Sequence, residues 1–152
     1  MPDASRVNAP ESGKENGTPG APGLAHLLAA DQRPMERTFA ERFAAEWVAS
    51  WNAHDLGRVL SHYAEDFEMS SPIIIQIAGE PSGTLRGKAA VGAYWTKALE
   101  LIPDLKFELI SVLAGVGSLT LCYEGPRGRL AAEVLHFGPD NKVIRAFAHY
   151  AA

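Results

Sequence analysis

The sequence has a single cysteine, Cys122, so the chain can form no internal disulfide and offers no cysteine cluster for a metal. Cys122 lies in the apolar run from Leu119 to Tyr123, which favours a buried small side chain over a reactive thiol. None of the five histidines has a spacing that, with a carboxylate, makes a zinc or iron site. A glycine-rich phosphate loop and an activated Ser or Cys motif are also missing. We therefore expect neither a metal nor a cofactor.

Long hydrophobic runs and an excess of positive charge are missing too. No apolar run approaches the roughly 20 residues of a membrane span, and no basic segment precedes the short apolar run of residues 24–30, so a signal peptide is not predicted. The 14 Lys and Arg residues, against 18 Asp and Glu residues, are scattered, and their densest group is Arg127 with Arg129. Nucleic acids and anionic membranes require clustered cations, so we expect neither as a partner and predict a cytoplasmic protein.

Composition divides the chain near residue 30. Residues 1–23 hold four prolines and four glycines among small polar residues, and such segments bury too little apolar surface to become ordered. We predict a disordered Pro/Gly-rich tail over residues 1–30 and one domain over residues 31–152. A hydrophobic content of 47% is enough to build a core in a domain of this size.

Aromatic residues recur every four positions in the next segment, which predicts an amphipathic helix; they are Phe39, Phe43, Trp47 and Trp51. Asp55 then suits the N-cap of a second helix from Leu56 to about Ala64. A third helix is predicted from Lys88 to Ile102, where Pro103 ends it.

Strand periodicity begins at Phe67 and dominates the last part of the chain. The segments near residues 105–109, 118–124, 129–137 and 142–150 alternate with period two and are separated by Gly-containing turns. Three helices followed by such a meander predict an α+β fold: a cone-shaped, strongly curved antiparallel sheet around an N-terminal helical hairpin plus a third helix. The segment Ile73–Ile77 fits either a strand or a lid that closes over a pocket.

Glu133 is the candidate catalytic residue, because it is the only charged residue between Arg129 and Phe137. Alternation places it on the face of Ala131 and Leu135, where desolvation would raise the pKa of the carboxyl and suit it to acid–base work. The alternative is that Glu133 faces solvent or pairs with Arg129 or Arg145.

Apolar and aromatic side chains on that face, and on the helices, predict a cavity for a small hydrophobic ligand. The predicted ligand-binding residues are Trp47, Trp51, Tyr63, Tyr94, Leu121, Tyr123, Leu135, Ala146 and Tyr150, and Ile144 and Ala148 share their face. The alternative is that these side chains simply fill the core. His54 and His62 are expected to be solvated.

Three short segments, Trp51–Leu56, His62–Phe67 and Ser71–Pro72, resemble the beginning of SnoaL-like proteins in the nuclear transport factor 2-like superfamily, which also contains ketosteroid isomerases. The resemblance extends over about residues 35–150 and implies the same cone-shaped fold and no cofactor. It supports the fold more than any reaction, because this fold carries many chemistries. SnoaL-like relatives include polyketide cyclases, which close rings with one acidic residue in a shaped pocket.

The resemblance also implies roles for three positions. Glu133 falls where ketosteroid isomerase keeps a protonated aspartic acid in its oxyanion hole. The general base of that enzyme corresponds to Ser71 and its oxyanion-hole tyrosine to Trp47. Neither replacement can do the same acid–base chemistry, so steroid isomerisation by that mechanism is rejected. The Asp–Arg–Asp arrangement of limonene epoxide hydrolases is not recognisable either.

Two hypotheses stay open. The chain is either a cofactor-free isomerase, cyclase, hydratase or hydrolase of a small hydrophobic keto or ring compound, with Glu133 and Ser71 as the candidate catalytic residues, or a non-catalytic ligand-binding or assembly module. A homodimer through the convex face of the sheet is also predicted, because alternation leaves an apolar patch there and relatives commonly dimerise through their sheets. The predicted patch contains Ile110, Val112, Cys122, Leu130, Ala132, Val134, Val143 and Phe147.

Overall fold

The computed structural model describes residues 35–152, so the predicted tail and its boundary at residue 30 lie outside the described residues. Within the described range the chain forms an α+β fold in which helices pack on one six-stranded sheet. The helices are α1 (Arg37–Asn52), α2 (Leu56–Leu60), α3 (Pro72–Ile77) and α4 (Lys88–Leu101). The strands are β1 (Tyr63–Ser70), β2 (Thr84–Arg86), β3 (Glu108–Gly115), β4 (Ser118–Glu124), β5 (Leu130–Phe137) and β6 (Val143–Tyr150).

The strand order β2-β1-β6-β5-β4-β3 confirms the curved sheet but corrects its connectivity. Strands β3 to β6 form the predicted antiparallel meander. However, β1 pairs with β6 in parallel, so the sheet is mixed rather than purely antiparallel. β1 and β6 run in the same direction because α3, β2 and α4 carry the chain back across the sheet before β3 begins.

Helix α1 buries the predicted stripe, including Phe43, Trp47 and Trp51, against the concave face of the sheet. Its last residue, Asn52, fixes the segment that leads into β3: its amide donates to the carbonyl oxygen of Phe107 at 2.9 Å and accepts from the Phe107 amide at 2.7 Å. His54 makes a 2.8 Å hydrogen bond from Nε2 to the carbonyl oxygen of Leu105. The turn after α1 therefore holds Leu105 and Phe107 in place.

Helix α2 begins as predicted, because the Asp55 carboxylate accepts from the Arg58 amide at 3.1 Å. It ends at Leu60 rather than near Ala64, and Tyr63 already begins β1. Tyr63 therefore reaches the core from the sheet. The sequence had suggested that it would do so from a helix. His62 lies in the turn between the two elements and is half-buried, as is His54, so the predicted solvation of both histidines is wrong.

Ile73–Ile77 forms most of helix α3, which excludes the strand alternative. The Ser71 side chain caps this helix by accepting from the Ile73 amide at 3.1 Å, and Pro72 occupies the first turn. Ile74 is fully buried while Ile73 and Ile77 pack against the core. Burial and the cap thus outweigh the strand preference of isoleucine.

Two bulges shift the alternation that the sequence predicts. A register shift between His136 and Phe137 pairs Phe137 with Val143, so Val143 is buried and Ile144 is 38% exposed, the reverse of the prediction. A second shift, between Leu109 and Ser111, turns Val112 toward the core. Leu113 takes the predicted place of Val112 on the convex face. Each bulge inserts one unpaired residue, which reverses the facing of every residue beyond it.

Candidate functional site

A cavity of about 780 Å³ lies between the concave face of the sheet, helices α3 and α4, and the segment before β3. Its apolar wall consists mainly of buried or half-buried side chains, including Trp51, Met69, Ile73, Trp95 and Phe107. The polar groups that line it and are largely buried are Tyr94, Tyr123, Glu133 and Tyr150. An apolar cavity with a few polar groups is the usual form of a small-molecule site.

Glu133 lies in the middle of β5, on the concave face of the sheet, and lines this cavity. Its cross-strand neighbours are Leu121 on β4 and Ala148 on β6, both buried. Glu133 is only 6% exposed, and none of the salt bridges in residues 35–152 involves it. The solvent-facing and arginine-paired alternatives are therefore excluded, and Arg145 pairs across the strands with His136 on the other face.

Burial raises the pKa of Glu133 to about 7, and the hydroxyl of Tyr123 opposes that shift slightly by hydrogen bonding. The Tyr123 hydroxyl donates to Glu133 Oε1 across 3.4 Å, which favours the charged carboxylate. Glu133 Oε2 is buried and has no hydrogen-bond partner among residues 35–152. Near neutral pH the carboxyl is therefore divided between its neutral and charged forms, with one oxygen free.

Two other phenols complete the polar part of the cavity. Burial raises the pKa of Tyr94 to about 12, opposed by the nearby Ser71 hydroxyl. Burial and the charge of Glu133 also raise the pKa of Tyr150, which the Ser71 hydroxyl opposes. Both phenols are therefore neutral hydrogen-bond donors at neutral pH, close to Ser71 and electrostatically coupled to Glu133.

Unpartnered polar atoms concentrate at this cavity. In residues 35–152 three buried side-chain atoms lack a hydrogen-bond partner: Trp51 Nε1, His62 Nε2 and Glu133 Oε2. Two of the three belong to residues that line the cavity. Because buried polar atoms are nearly always hydrogen-bonded, a donor and an oxygen without partners in the same wall are an exception, and both atoms have unused hydrogen-bonding capacity.

The predicted ligand-binding residues divide into two groups. Trp51, Tyr94, Tyr123 and Tyr150 line the cavity. The others lie behind it in the core and do not line it; they are Trp47, Tyr63, Leu121, Leu135 and Ala146. Alternation and helical periodicity give the face of each side chain but not its depth, and depth decides which group lines the cavity.

Ser71 and Trp47, which occupy two positions of the isomerase machinery, make structural hydrogen bonds. Ser71 caps α3 and does not line the main cavity, although it lines a smaller one of about 280 Å³ beside Pro72 and His149. The indole of Trp47 donates to the Tyr63 hydroxyl at 3.0 Å, in the core. The catalytic role of Ser71 stays a prediction.

Several lining residues were not identified from the sequence. Met69 and Trp95 form much of the apolar wall, and only the pairing of β1 with β6 brings Met69 there. Ile73 and Ile77 belong to the segment for which a lid over a pocket was one alternative, and they line the cavity as part of helix α3. Lys106, Arg127 and Arg129 also line the cavity and are exposed. The closeness of the two arginines in the sequence was visible, but their place at the cavity was not.

In the part of the chain that the structure describes, no group of three or more His, Cys, Asp or Glu side chains is placed to hold a metal ion. None of the described helices is long and apolar enough to cross a membrane.

A cone-shaped α+β domain with one acidic group inside an apolar cavity defines the class of this protein, and comparison with known proteins gives its family. A family model described as a SnoaL-like domain matches residues 44–142. The chain therefore belongs to the SnoaL-like domain family, as its motifs suggested. No curated protein matches it.

Solved structures agree with this assignment. A SnoaL-like protein of unknown function from Burkholderia thailandensis E264 is 62% identical, with a TM-score of 0.76, over 79% of this chain and 100% of that one. SalBIII, an epoxide hydrolase/cyclase-like enzyme in pyran ring formation in the polyether salinomycin, is 16% identical, with a TM-score of 0.60, over 76% and 93% of the two chains. An NTF2-like protein of unknown function from Cytophaga hutchinsonii ATCC 33406 is 11% identical, with a TM-score of 0.56, over 74% and 89%. The last two show the fold alone.

Proposed function

We propose that this protein is a cofactor-free enzyme that transfers protons at the carbonyl group of a small hydrophobic keto compound, with Glu133 as its acid and base. The observation that carries the proposal is the buried carboxyl of Glu133, which lines an apolar cavity, has a pKa near 7 and keeps Oε2 unpartnered. A catalytic pKa near the working pH is the most effective one for proton transfer.

The proposal assigns each oxygen of Glu133 a separate role, and the hydrogen bond from Tyr123 supports this division. Oε1 accepts from the Tyr123 hydroxyl, so a proton on the neutral carboxyl resides on Oε2, from which it is donated to a ligand oxygen. The carboxylate that forms is stabilised by the Tyr123 hydrogen bond. In its charged form Glu133 instead accepts a proton from the carbon beside the carbonyl. Enolisation of this kind is a step common to isomerases and aldol cyclases.

Exchange of hydrogen for deuterium beside the carbonyl tests this role without knowledge of the natural substrate. With 2-tetralone in D₂O, followed by proton NMR, we expect the protein to accelerate the exchange. Glu133→Gln should lower that rate by about 10²- to 10⁴-fold, the usual contribution of a general acid or base. Exposed Glu100 on α4 provides the control, Glu100→Gln. Equal rates for wild type and Glu133→Gln would contradict the proposal.

One observation favours a second function, a ligand-binding module without catalysis. Ser71 and Trp47 are engaged in structural hydrogen bonds, so two positions of the isomerase machinery are not free to react. Under this hypothesis 2-tetralone binds with the same affinity to wild type and Glu133→Gln, and neither protein accelerates the exchange. Tryptophan fluorescence verifies that 2-tetralone binds, because Trp51 and Trp95 line the cavity, and the exchange rate of the bound compound then separates the two functions.

A further inference from the structure

The opening of the main cavity is positively charged, although the chain as a whole carries a formal charge of −4. We define the mouth as the exposed charged residues that line the cavity: Asp104, Lys106, Arg127 and Arg129. Three of these side chains are cationic and one is anionic. The mouth therefore has the opposite sign to the protein, and a charged rim around a low-dielectric cavity concentrates the field on entering ligands.

The cations of the mouth form no salt bridge with a carboxylate of residues 35–152. The salt bridges of residues 35–152 lie elsewhere, at Arg37–Glu41, Arg58–Glu46 and Arg86–Asp66. Even Asp104 forms no salt bridge with the three mouth cations within residues 35–152. The positive charges at the mouth are thus available to a ligand.

The side chain of Arg129 is held by the fold beside the polar end of the cavity, and Arg127 lies in the same turn. The guanidinium of Arg129 lies over the ring of Tyr150, 4.9 Å from its centroid, and donates from Nη2 to the Ala151 carbonyl oxygen at 3.4 Å. Arg127 has φ 62° and ψ 23° in the turn between β4 and β5, a conformation that is costly for a residue other than glycine. The phenol of Tyr150 connects this edge of the mouth electrostatically to Glu133.

We propose that the ligand of this cavity is an amphipathic carboxylate, whose apolar ring portion occupies the interior while its carboxylate is held at the mouth by Arg127 and Arg129. The planar guanidinium fork matches a carboxylate in a way that lysine does not, and Lys106 adds a third positive charge. The proposal deepens the proposed function by naming a substrate class, and rests on it only in using the same cavity.

A matched pair of probes tests the charge preference directly. We would titrate the full-length protein with 4-(2-naphthyl)butanoate and with its neutral amide, which has the same shape, by isothermal titration calorimetry. We expect the acid to bind about tenfold more tightly, equivalent to roughly 1.4 kcal/mol. The preference should shrink at high ionic strength, because the mouth is exposed to solvent.

Variants test whether the tighter binding of the acid depends on the arginines of the mouth. Arg127→Gln combined with Arg129→Gln should reduce the affinity for the acid to that for the amide and leave the amide affinity unchanged. Arg145→Gln, on the convex face, is the control and should keep the full preference. Equal affinity of acid and amide for the wild type, or no binding of the acid, would overturn the proposal.

The same titration separates this proposal from the proposed function. Glu133→Gln should retain the preference for the acid, because the carboxylate is held at the mouth and not by Glu133. If the preference is present while no deuterium exchange occurs, the carboxylate-binding role stands and the catalytic role fails.

Discussion

At the scale of single residues, Glu133 couples the cavity to the stability of the fold. Leu121 and Ala148 beside it offer no positive charge, so burial raises its pKa from an ordinary 4.5 to about 7. Between these values the folded protein keeps a proton that the unfolded chain has lost. The free energy of unfolding therefore falls as the pH rises through this window, by on the order of 3 kcal/mol.

Glu133→Gln should remove this pH dependence, because the amide cannot ionise. We expect urea unfolding of the wild type to shift to lower urea as the pH rises from 4.5 to 7, while the variant gains stability relative to the wild type over the same range. Glu100→Gln, an exposed control, should change in parallel with the wild type. A constant difference between wild type and Glu133→Gln across the window would mean that Glu133 is already charged below it.

At the scale of the element, α3 depends on its first residues. Six residues form too short a helix to be stable alone, and the Ser71 side chain supplies its cap. Ser71→Ala should lower the free energy of unfolding by about 1 kcal/mol, measured by urea unfolding, whereas Ser71→Thr should restore most of it. If Ser71→Ala were as stable as the wild type, the cap would not stabilise α3. The role of the hydroxyl would then be its hydrogen bonding with Tyr94 and Tyr150.

The helices and strands also show how much of the fold could be predicted from the sequence alone. Period four predicted α1, period two placed Glu133 on the concave face, and Asp55 predicted the start of α2. By contrast, the bulges near Ile110 and Ile144 leave no mark on the alternation, so Val112 and Val143 were assigned to the wrong face. Isoleucines in α3 were ambiguous because local propensity is weaker than burial. The cationic mouth was not predicted, because its residues belong to segments that are distant in the sequence and meet only in the folded chain.

At the scale of the whole molecule, the convex face of the sheet keeps an apolar patch. Leu113 is 56% exposed and Leu130 is 51% exposed, and half-buried Cys122, Val134 and Phe147 lie between the exposed positions. A patch of this kind commonly marks an interface. Two copies that meet face to face would cover it with twofold symmetry, so we expect a homodimer.

Leu113→Asp should convert that dimer to a monomer, because a charge in the patch opposes its burial. Light scattering at micromolar concentration would measure the mass, with 16.3 kDa expected for one chain. Val116→Asp is the matched control: Val116 is 72% exposed in the turn between β3 and β4 and should leave the dimer intact. A monomeric wild type would contradict the prediction.

The parallel pairing of β1 with β6 has a consequence for the chain while it is being synthesised. Only β2 and β6 pair with β1 in the described structure, and β6 is synthesised after all the other described strands. Until then one edge of β1 stays open, and open edges recruit strands from other chains. Glu65, Asp66 and Glu68 place three negative charges along β1, and we expect the repulsion between like charges to oppose pairing of this edge between unfinished copies.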